Sequence, residues 1–237
     1  MLTGLLLLAA QVLSTAAFQS NDLPTGTEII ERYVRAKGGE ELLRKTRNYQ
    51  IETEIWIDGK KTATTQMFQA PNRHLTINTL VDGSTTQHGT DGKRAWLVAA
   101  DGSVTDLQGD QLRDYLAHYS TVHEALEWSK QYEKINCVGR RSLLGGKAFE
   151  VHFIPKDGPT IVRFFDDDSG LFIREQRVLD EQGTLLVSDM SDYRRVNGIM
   201  VSHKRVNTIG GESTEYILKV AKNNVTFPDD LFQPPTK

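Results

Sequence analysis

The fold class is decided by the stretch Ile51-Glu-Thr-Glu-Ile-Trp-Ile-Asp-Gly59, in which an apolar or β-branched residue recurs at every second position. Successive side chains of a β-strand point to opposite faces, so this stretch has one apolar face and one largely polar face. The Asp-Gly pair at its end is typical of a tight hairpin turn, whose residues must tolerate positive φ. The stretch therefore predicts an antiparallel strand that turns back on itself.

The same pattern recurs along most of the chain, where glycine-containing pairs separate segments rich in β-branched and aromatic residues. These pairs are Asp82-Gly83, Asp91-Gly92, Asp101-Gly102, Gly145-Gly146, Asp157-Gly158, Gln182-Gly183, Asn197-Gly198 and Gly210-Gly211. Among the predicted strands, one has Tyr216, Leu218 and Val220 on a shared face. We predict about eleven to thirteen antiparallel strands in succession.

Helical spacing interrupts the strands in two places. Thr25 and Glu28 have the spacing of a capping box and begin a helix that Gly38-Gly39 ends. A second helical segment runs from Asp110 to Trp128. Strands and helices do not alternate regularly, so a parallel sheet is not expected and the class is mainly β (α+β).

Composition restricts the function classes. The 237 residues include 28 Lys and Arg against 31 Asp and Glu, and this net charge of -3 excludes a role that needs concentrated positive charge, such as nucleic-acid binding. Cys137 is the only cysteine, so no disulfide forms within the chain. No linker rich in Pro, Ser or Gly divides the sequence, and we expect one domain.

The N-terminal stretch has the composition of a secretory leader. Leu5–Leu8 form an apolar run, and the small residues Ala16 and Ala17 follow it as at a cleavage site. We expect residues 1–17 to be a signal peptide and residues 18–237 to be the exported domain. An uncleaved membrane anchor is the alternative, although Gln11 interrupts a run shorter than the ~20 apolar residues of a typical span.

No catalytic motif is present. The six histidines lack the H-E-x-x-H spacing of a zinc site, and Asp166-Asp167-Asp168-Ser-Gly170 lacks the spacing of a calcium loop. An acidic hairpin turn is the expected structure of that cluster. We expect no catalytic residue, no metal and no cofactor. A hydrolase that uses carboxylates such as Asp166 and Asp168 stays open as the alternative.

Several short motifs occur in a recognisable order. They are Glu28-Ile-Ile-Glu-Arg-Tyr-Val-Arg-Ala-Lys-Gly-Gly39, Phe68-Gln-Ala-Pro-Asn-Arg73, Thr90-Asp-Gly-Lys-Arg-Ala-Trp96, Asp192-Tyr-Arg-Arg-Val-Asn-Gly-Ile199 and Phe227-Pro-Asp-Asp-Leu-Phe-Gln-Pro-Pro235. Their order resembles that of the periplasmic carriers that sort lipoproteins to the bacterial outer membrane, the LolA/LolB-like group and its wider relatives. The resemblance covers most of the chain after the leader.

The resemblance implies a curved, incomplete antiparallel β-barrel of about eleven strands, with helices as a lid over an apolar concave side. It also implies a periplasmic, non-enzymatic carrier of the acyl chain of a lipid or lipoprotein. We expect a monomer, with an envelope membrane protein as a second partner. A packed β scaffold that binds another envelope protein stays open, because sequence does not distinguish a cavity from a filled interior.

Apolar residues on the predicted strand faces are the candidates for lining a pocket, although ordinary core packing explains the same pattern. They are Ile51, Ile55, Ile57, Phe68, Trp96, Phe149, Val151 and Phe153.

The resemblance also implies a lid latch. In the carriers an arginine immediately before the Pro-Asn corner bonds lid-helix carbonyls, whereas this chain has Ala70 there. Arg73 is the candidate to replace it, although odd spacing in an unbroken strand sends the two side chains to opposite faces.

We predict that the exported protein begins at Ala17 or Phe18, because small residues follow the Leu5–Leu8 run. N-terminal sequencing of protein from the periplasmic fraction measures this directly. Recovery of intact Met1 from a membrane fraction would show an anchor instead of a leader.

Overall fold

A computed structural model describes residues 23–118, 124–156 and 158–235. In these ranges thirteen strands pair into one antiparallel sheet, in the order β6-β5-β4-β3-β2-β1-β13-β12-β11-β10-β9-β8-β7. The sheet is curved and does not close, and helices cover part of it, which confirms the predicted fold class. The thirteen strands agree with the eleven to thirteen predicted from the sequence and exceed the eleven that the resemblance implies. The predicted leader, residues 1–17, lies outside the described ranges.

The first six strands precede the middle helices. They are β1 (Asn48–Ile57), β2 (Lys60–Gln69), β3 (Arg73–Thr79), β4 (Thr85–Thr90), β5 (Ala95–Val98) and β6 (Val104–Asp106). The other seven are β7 (Tyr132–Leu143), β8 (Gly146–Pro155), β9 (Ile161–Asp166), β10 (Phe172–Val178), β11 (Leu185–Val196), β12 (Ile199–Ile209) and β13 (Glu212–Asn223). The described helices are α1 (Gly26–Lys37), α2 (Glu40–Lys45), α3 (Gly109–His118) and α4 (Glu124–Gln131).

Strand β1 joins the two halves of the sheet, because it pairs with β2 on one side and with β13 on the other. Ile51 is opposite Gln66 on β2 and opposite Ala221 on β13, so these three side chains share a face. We call the face that carries Ile51 the inner face and the other the outer face. The helices α1, α2 and α4 pack on the inner face, where Tyr33, Trp128 and Phe153 meet.

Helix α1 begins and ends as its sequence indicates. The Thr25 hydroxyl accepts a hydrogen bond from the Glu28 backbone N–H, and the Glu28 carboxylate accepts one from the Thr25 N–H at 2.7 Å, which confirms the predicted capping box. Gly38 follows the helix with φ of 142°, which favours glycine, and the chain reverses there into α2. The predicted helical segment from Asp110 to Trp128 contains α3 and part of α4; residues 119–123 lie outside the described ranges.

The main core fills the inner face between β7–β10 and the helices α1 and α4. Tyr33 stacks on Trp128 with ring centroids 5.4 Å apart, and the edge of Phe153 meets Trp128 at 5.2 Å. The Arg163 guanidinium lies 4.6 Å from the ring centres of both Trp128 and Phe153. Its charge is neutralised by Glu175 at 2.9 Å, so this buried cation is paired as low-dielectric surroundings require.

A smaller cluster on the outer face holds the end of the described chain. Phe232 is buried against Met67 and Leu75, which share the face opposite to Ile51. Asn48 donates from its side-chain amide to the Val225 carbonyl at 2.8 Å and accepts from the Val225 N–H at 2.8 Å. The C-terminal segment is thereby fixed to the sheet behind β1.

We predict that Phe153→Ala lowers the free energy of unfolding by about 3–5 kcal/mol, because the side chain is fully buried in the main core. Leu179→Ala is the control, since Leu179 is 44% exposed and a surface truncation costs about 0.5 kcal/mol or less. Urea denaturation of both variants measures the difference. Equal losses of unfolding free energy in the two variants would mean that the main core around Phe153 does not stabilise the fold.

Candidate functional site

A cavity of about 340 Å³ lies on the inner face where β1, β13, β12 and β11 meet α1 and α2. Ligand pockets typically measure about 300–1,000 Å³, so this space is large enough for a small ligand. Its lining residues are Tyr33, Lys37, Leu43, Thr46, Tyr49, Ile51, Thr53, Gln66, Met190, Tyr193, Ile199, Met200, Val201, Ser202, His203, Arg205, Tyr216, Leu218, Ala221 and Asn223.

The helices cover one end of this cavity. The peptide of Gly198, just before β12, packs against Gly38 between α1 and α2, and a Cβ on Gly198 would meet the Leu42 side chain at 2.8 Å. Leu43 and Ile199 line the cavity at this end and are both buried. The covered end is therefore closed by tightly packed helix and turn, and Lys37 and Thr46 are its polar lining residues beside Leu43 and Ile199.

Other polar side chains of the cavity lie further along the strands. Arg205 is directly opposite Tyr216 on β13, and its guanidinium lies 4.3 Å from the centre of the Tyr216 ring. Desolvation by the surrounding strands lowers the pKa of Arg205 from its ordinary value although the side chain is partly exposed to solvent, and the nearby Tyr216 and Glu175 act in the opposite direction. Thr53 and Gln66 add neutral polar groups to the wall.

Four of the predicted pocket residues belong to the inner face of β1 and β2. Ile51 lines the cavity. Ile55 and Ile57 follow it on the same face but lie beyond the lining residues, and Ile57 is 46% exposed. Phe68 is buried between the rings of Tyr49, at 4.4 Å, and His74, at 4.5 Å.

The other four candidates lie in packed surroundings away from the cavity. Phe149, Val151 and Phe153 are fully buried in the main core under α1 and α4. Trp96 lies on the outer face, because its partner Gly89 is opposite Leu75 and Leu75 is opposite Met67. Its ring lies on Gly89, where an added Cβ would come within 2.6 Å of it.

The cavity residues on β13 were only partly indicated by sequence. Alternation places Tyr216, Leu218 and Val220 on one face, but the register shifts between Glu52 and Thr53, so Val220 is opposite Glu52 and Leu218 is opposite Thr53. This β-bulge turns Val220 to the outer face and Ala221 to the cavity, which corrects the prediction for Val220. A bulge has no reliable signal in a single sequence.

Arg73, the candidate latch, lies on the outer face, since it is opposite Gln69 and two residues before Leu75. The helices α1 and α2 lie on the other side of the sheet. Ala70 contributes a backbone N–H that donates to the Arg47 carbonyl at 2.8 Å.

Arg32 connects helix α1 to the sheet. Arg32 on α1 donates to the backbone carbonyl of Asp167 in the turn between β9 and β10, and its guanidinium lies 3.6 Å from the Asp167 carboxylate. Arg140 on β7 contacts the same carboxylate at 3.2 Å. This contact connects α1 to the far half of the sheet.

The acidic cluster forms the turn between β9 and β10, as the sequence indicates. Asp166 accepts hydrogen bonds from the Ser169 N–H at 2.7 Å and from its hydroxyl at 2.6 Å. With Asp167 held by two arginines, both carboxylates stabilise the turn. Among the described residues, no group of three or more His, Cys, Asp or Glu side chains could hold a metal ion.

A buried polar network lies further along the inner face, under α3. His74 is opposite Thr90 but bonds along its own strand, with its Nε2 2.7 Å from the Thr76 hydroxyl. The Tyr115 hydroxyl lies 2.9 Å from Nδ1 of His88 and 3.4 Å from Nδ1 of His74. Burial and the neighbouring His88 lower the pKa of His74 to about 3, and burial lowers the pKa of His88 as well.

A second cavity of about 550 Å³ opens between α1, α2, α4 and the start of β7. Its wall carries Glu31, Arg35, Glu40 and Arg44, so charges of both signs surround it. In the part of the chain that the structure describes, no helix has the length and apolar character of a membrane span.

Comparison with known proteins identifies the fold. No protein-family model and no curated protein matches the sequence. Solved structures do match: a LolA superfamily protein from Nitrosomonas europaea has a TM-score of 0.62 at 10% identity, over 89% of this chain and 98% of that chain. A DUF1329 family protein from Desulfovibrio piger has a TM-score of 0.60 at 15% identity, over 87% of this chain and 96% of the other.

A third structure, a domain from Vibrio parahaemolyticus described as an outer membrane lipoprotein-sorting protein, has a TM-score of 0.58 at 15% identity. The match covers 88% of this chain and 97% of that domain. At these identities the likeness shows the fold alone. The fold that the LolA/LolB-like resemblance implies is therefore confirmed.

We predict that acid destabilises the protein through His74. The imidazole has a pKa of about 3 when folded against 6.5 as its ordinary value, so the unfolded chain binds the extra proton between these limits. The contribution of His74 to the free energy of unfolding is fully present above pH 6.5. It falls as the pH drops toward 3, by up to about 1.4 kcal/mol per pH unit.

Urea denaturation across this pH range measures the loss for the wild type and for His74→Gln, which should depend less on pH. His152→Gln is the control, since His152 is partly exposed and bonds Glu150 on the surface of β8. An unchanged pH dependence in His74→Gln would contradict the assignment.

Proposed function

We propose that the chain is a non-enzymatic periplasmic carrier for the acyl chain of a lipid or lipoprotein, with the inner-face cavity as its binding site. The observation that supports this most directly is the cavity itself. Side chains of Leu43, Ile51, Ile199, Val201 and Leu218 provide an apolar wall beside a few polar groups. This combination is usual for small-molecule sites.

The energetics of an acyl chain favour such a site. Each CH₂ group removed from water contributes about 0.8 kcal/mol, so a cavity that buries several of them binds a chain that water rejects. The cavity is bounded by a rigid sheet on one side and by α1 and α2 on the other. Little ordering of the protein is then needed on binding, which reduces the cost of association.

The same proposal includes the organisation of the chain. Residues 1–17 act as the leader, residues 18–237 form the single carrier domain, and the exported protein works as a monomer. It receives or delivers its lipid by contact with an envelope membrane protein. A hydrolase that uses Asp166 and Asp168 has less support, because Asp166 accepts two hydrogen bonds within the β9–β10 turn and Asp168 is exposed on the same turn.

We predict that Ala221→Trp weakens the binding of an apolar dye or fatty acid, because the indole occupies the cavity that Ala221 lines. Lys222→Trp is the matched control, since the next residue on β13 is exposed and points away from Ala221. Titration with a fluorescent fatty acid should show affinity at least about tenfold weaker for Ala221→Trp, equal to a loss of about 1.4 kcal/mol, and unchanged affinity for Lys222→Trp.

Mass spectrometry of lipids extracted from the purified wild type completes the test, and a stoichiometric acyl species is the expected result. Failure of the wild type to bind any acyl probe would refute the carrier function. Equal binding by the wild type and Ala221→Trp would place the ligand elsewhere.

A further inference from the structure

The wall of the inner-face cavity has an unbalanced charge. Two of its lining residues, Lys37 and Arg205, are cations, and none of the lining residues is Asp or Glu. We propose that the ligand of this cavity is an anionic amphiphile, an acyl chain with a carboxylate or phosphate head, and that Arg205 binds the head. This inference rests on the carrier function proposed above and specifies the chemical class of its ligand.

The surroundings of Arg205 leave its charge without a dedicated counterion. Within the described ranges, no carboxylate lies within ion-pair distance of its guanidinium. Glu175 is close enough to act on Arg205 electrostatically, but its carboxylate already bonds Arg163 at 2.9 Å and contacts Arg177 at 3.8 Å. Three guanidiniums therefore lie near a single carboxylate at this point of the inner face, and that carboxylate pairs with the other two.

A bound oxyanion would supply the negative charge that this group of arginines lacks. The Arg205 side chain is exposed at the cavity wall, and the Tyr216 side chain gives it a cation–π contact at 4.3 Å and a hydrogen bond but no negative charge. Guanidinium groups present several N–H donors in a planar fork that matches the two oxygens of a carboxylate or phosphate. The head of an anionic lipid therefore supplies the partner that the protein does not.

The position of Arg205 also sets the direction of the ligand. Ile199, at the closed end of the cavity under α1 and α2, precedes Arg205 by six residues on the same strand, which corresponds to about 20 Å. Val201 lies between them on the same face, with Leu218 and Ile51 on the neighbouring strands. With its head at Arg205, the tail extends along these apolar side chains toward the helices.

The test compares three probes on the intact exported protein: tetradecanoate, the uncharged tetradecanol, and inorganic phosphate. It compares the wild type with Arg205→Gln, which removes the charge, and Arg205→Lys, which keeps it. Arg194→Gln is the control for net charge, because Arg194 is exposed on β11 and pairs with Asp192 at the surface. Calorimetric or fluorescence titration gives each affinity.

We expect the wild type, Arg205→Lys and Arg194→Gln to bind tetradecanoate at least about tenfold more tightly than tetradecanol. Arg205→Gln should lose this preference and bind both with the affinity of the alcohol. If the preference for tetradecanoate persists in Arg205→Gln, or if the wild type never shows it, the proposal that Arg205 binds an anionic head is refuted. The carrier function is not affected by that result. If the wild type binds neither lipid, the carrier function itself fails.

Two further outcomes keep the test decisive. If inorganic phosphate alone binds the wild type and is lost in Arg205→Gln, Arg205 is a site for free anions and the amphiphile proposal is overturned. If Arg205→Gln does not fold, the salt dependence of the wild type decides. Added NaCl should weaken tetradecanoate binding and leave tetradecanol binding unchanged, and equal salt effects on both would overturn the proposal.

Discussion

The pairing of β1 with β13 is the interaction on which the rest of the structure depends. Tyr49 at the start of β1 is opposite Asn223 at the end of β13, so the sheet is completed by strands from opposite ends of the described chain. Without these hydrogen bonds β1–β6 and β7–β13 would be two separate meanders, each with an unpaired edge at the centre. The cavity lies directly on this junction, because Ile51, Thr53, Leu218 and Ala221 form its floor.

The inner face has to be covered, and the helices do so unevenly. An α-helix of twelve residues such as α1 is about 18 Å long, which is too short to cover a face of thirteen strands. Together with α4 it covers β7–β10, where Phe149, Phe153 and Phe165 complete a dry core. Of the described helices, only the end of α1 and the short α2 lie over β1 and β11–β13, and the space beside them is the cavity.

Sequence alone indicated the strand-forming segments well, because alternation such as that of Ile51 to Ile57 and turns such as Asp58-Gly59 are local properties. It could not indicate which of two faces is the inner one. Trp96 and Ile51 both lie in segments of alternating apolar residues, yet Trp96 faces outward and Ile51 faces the cavity. This difference depends on the register of four successive strand pairings. Arg205 had no apolar signal at all, because its place on the cavity wall depends on its pairing with Tyr216 and on the curvature of the sheet.

The way α1 is fixed decides which end of the cavity can admit a ligand. Its side chains Ile29 and Tyr33 are part of the main core, and Arg32 bonds the β9–β10 turn, so moving α1 would open the core as well as the cavity. The close approach of Gly38 to Gly198 adds backbone packing at the same end. Because these three contacts hold α1 in place, we infer that α1 closes this end of the cavity without moving. For the carrier proposed above, this favours entry from the opposite end, with the apolar tail first and the polar head last, beside Arg205.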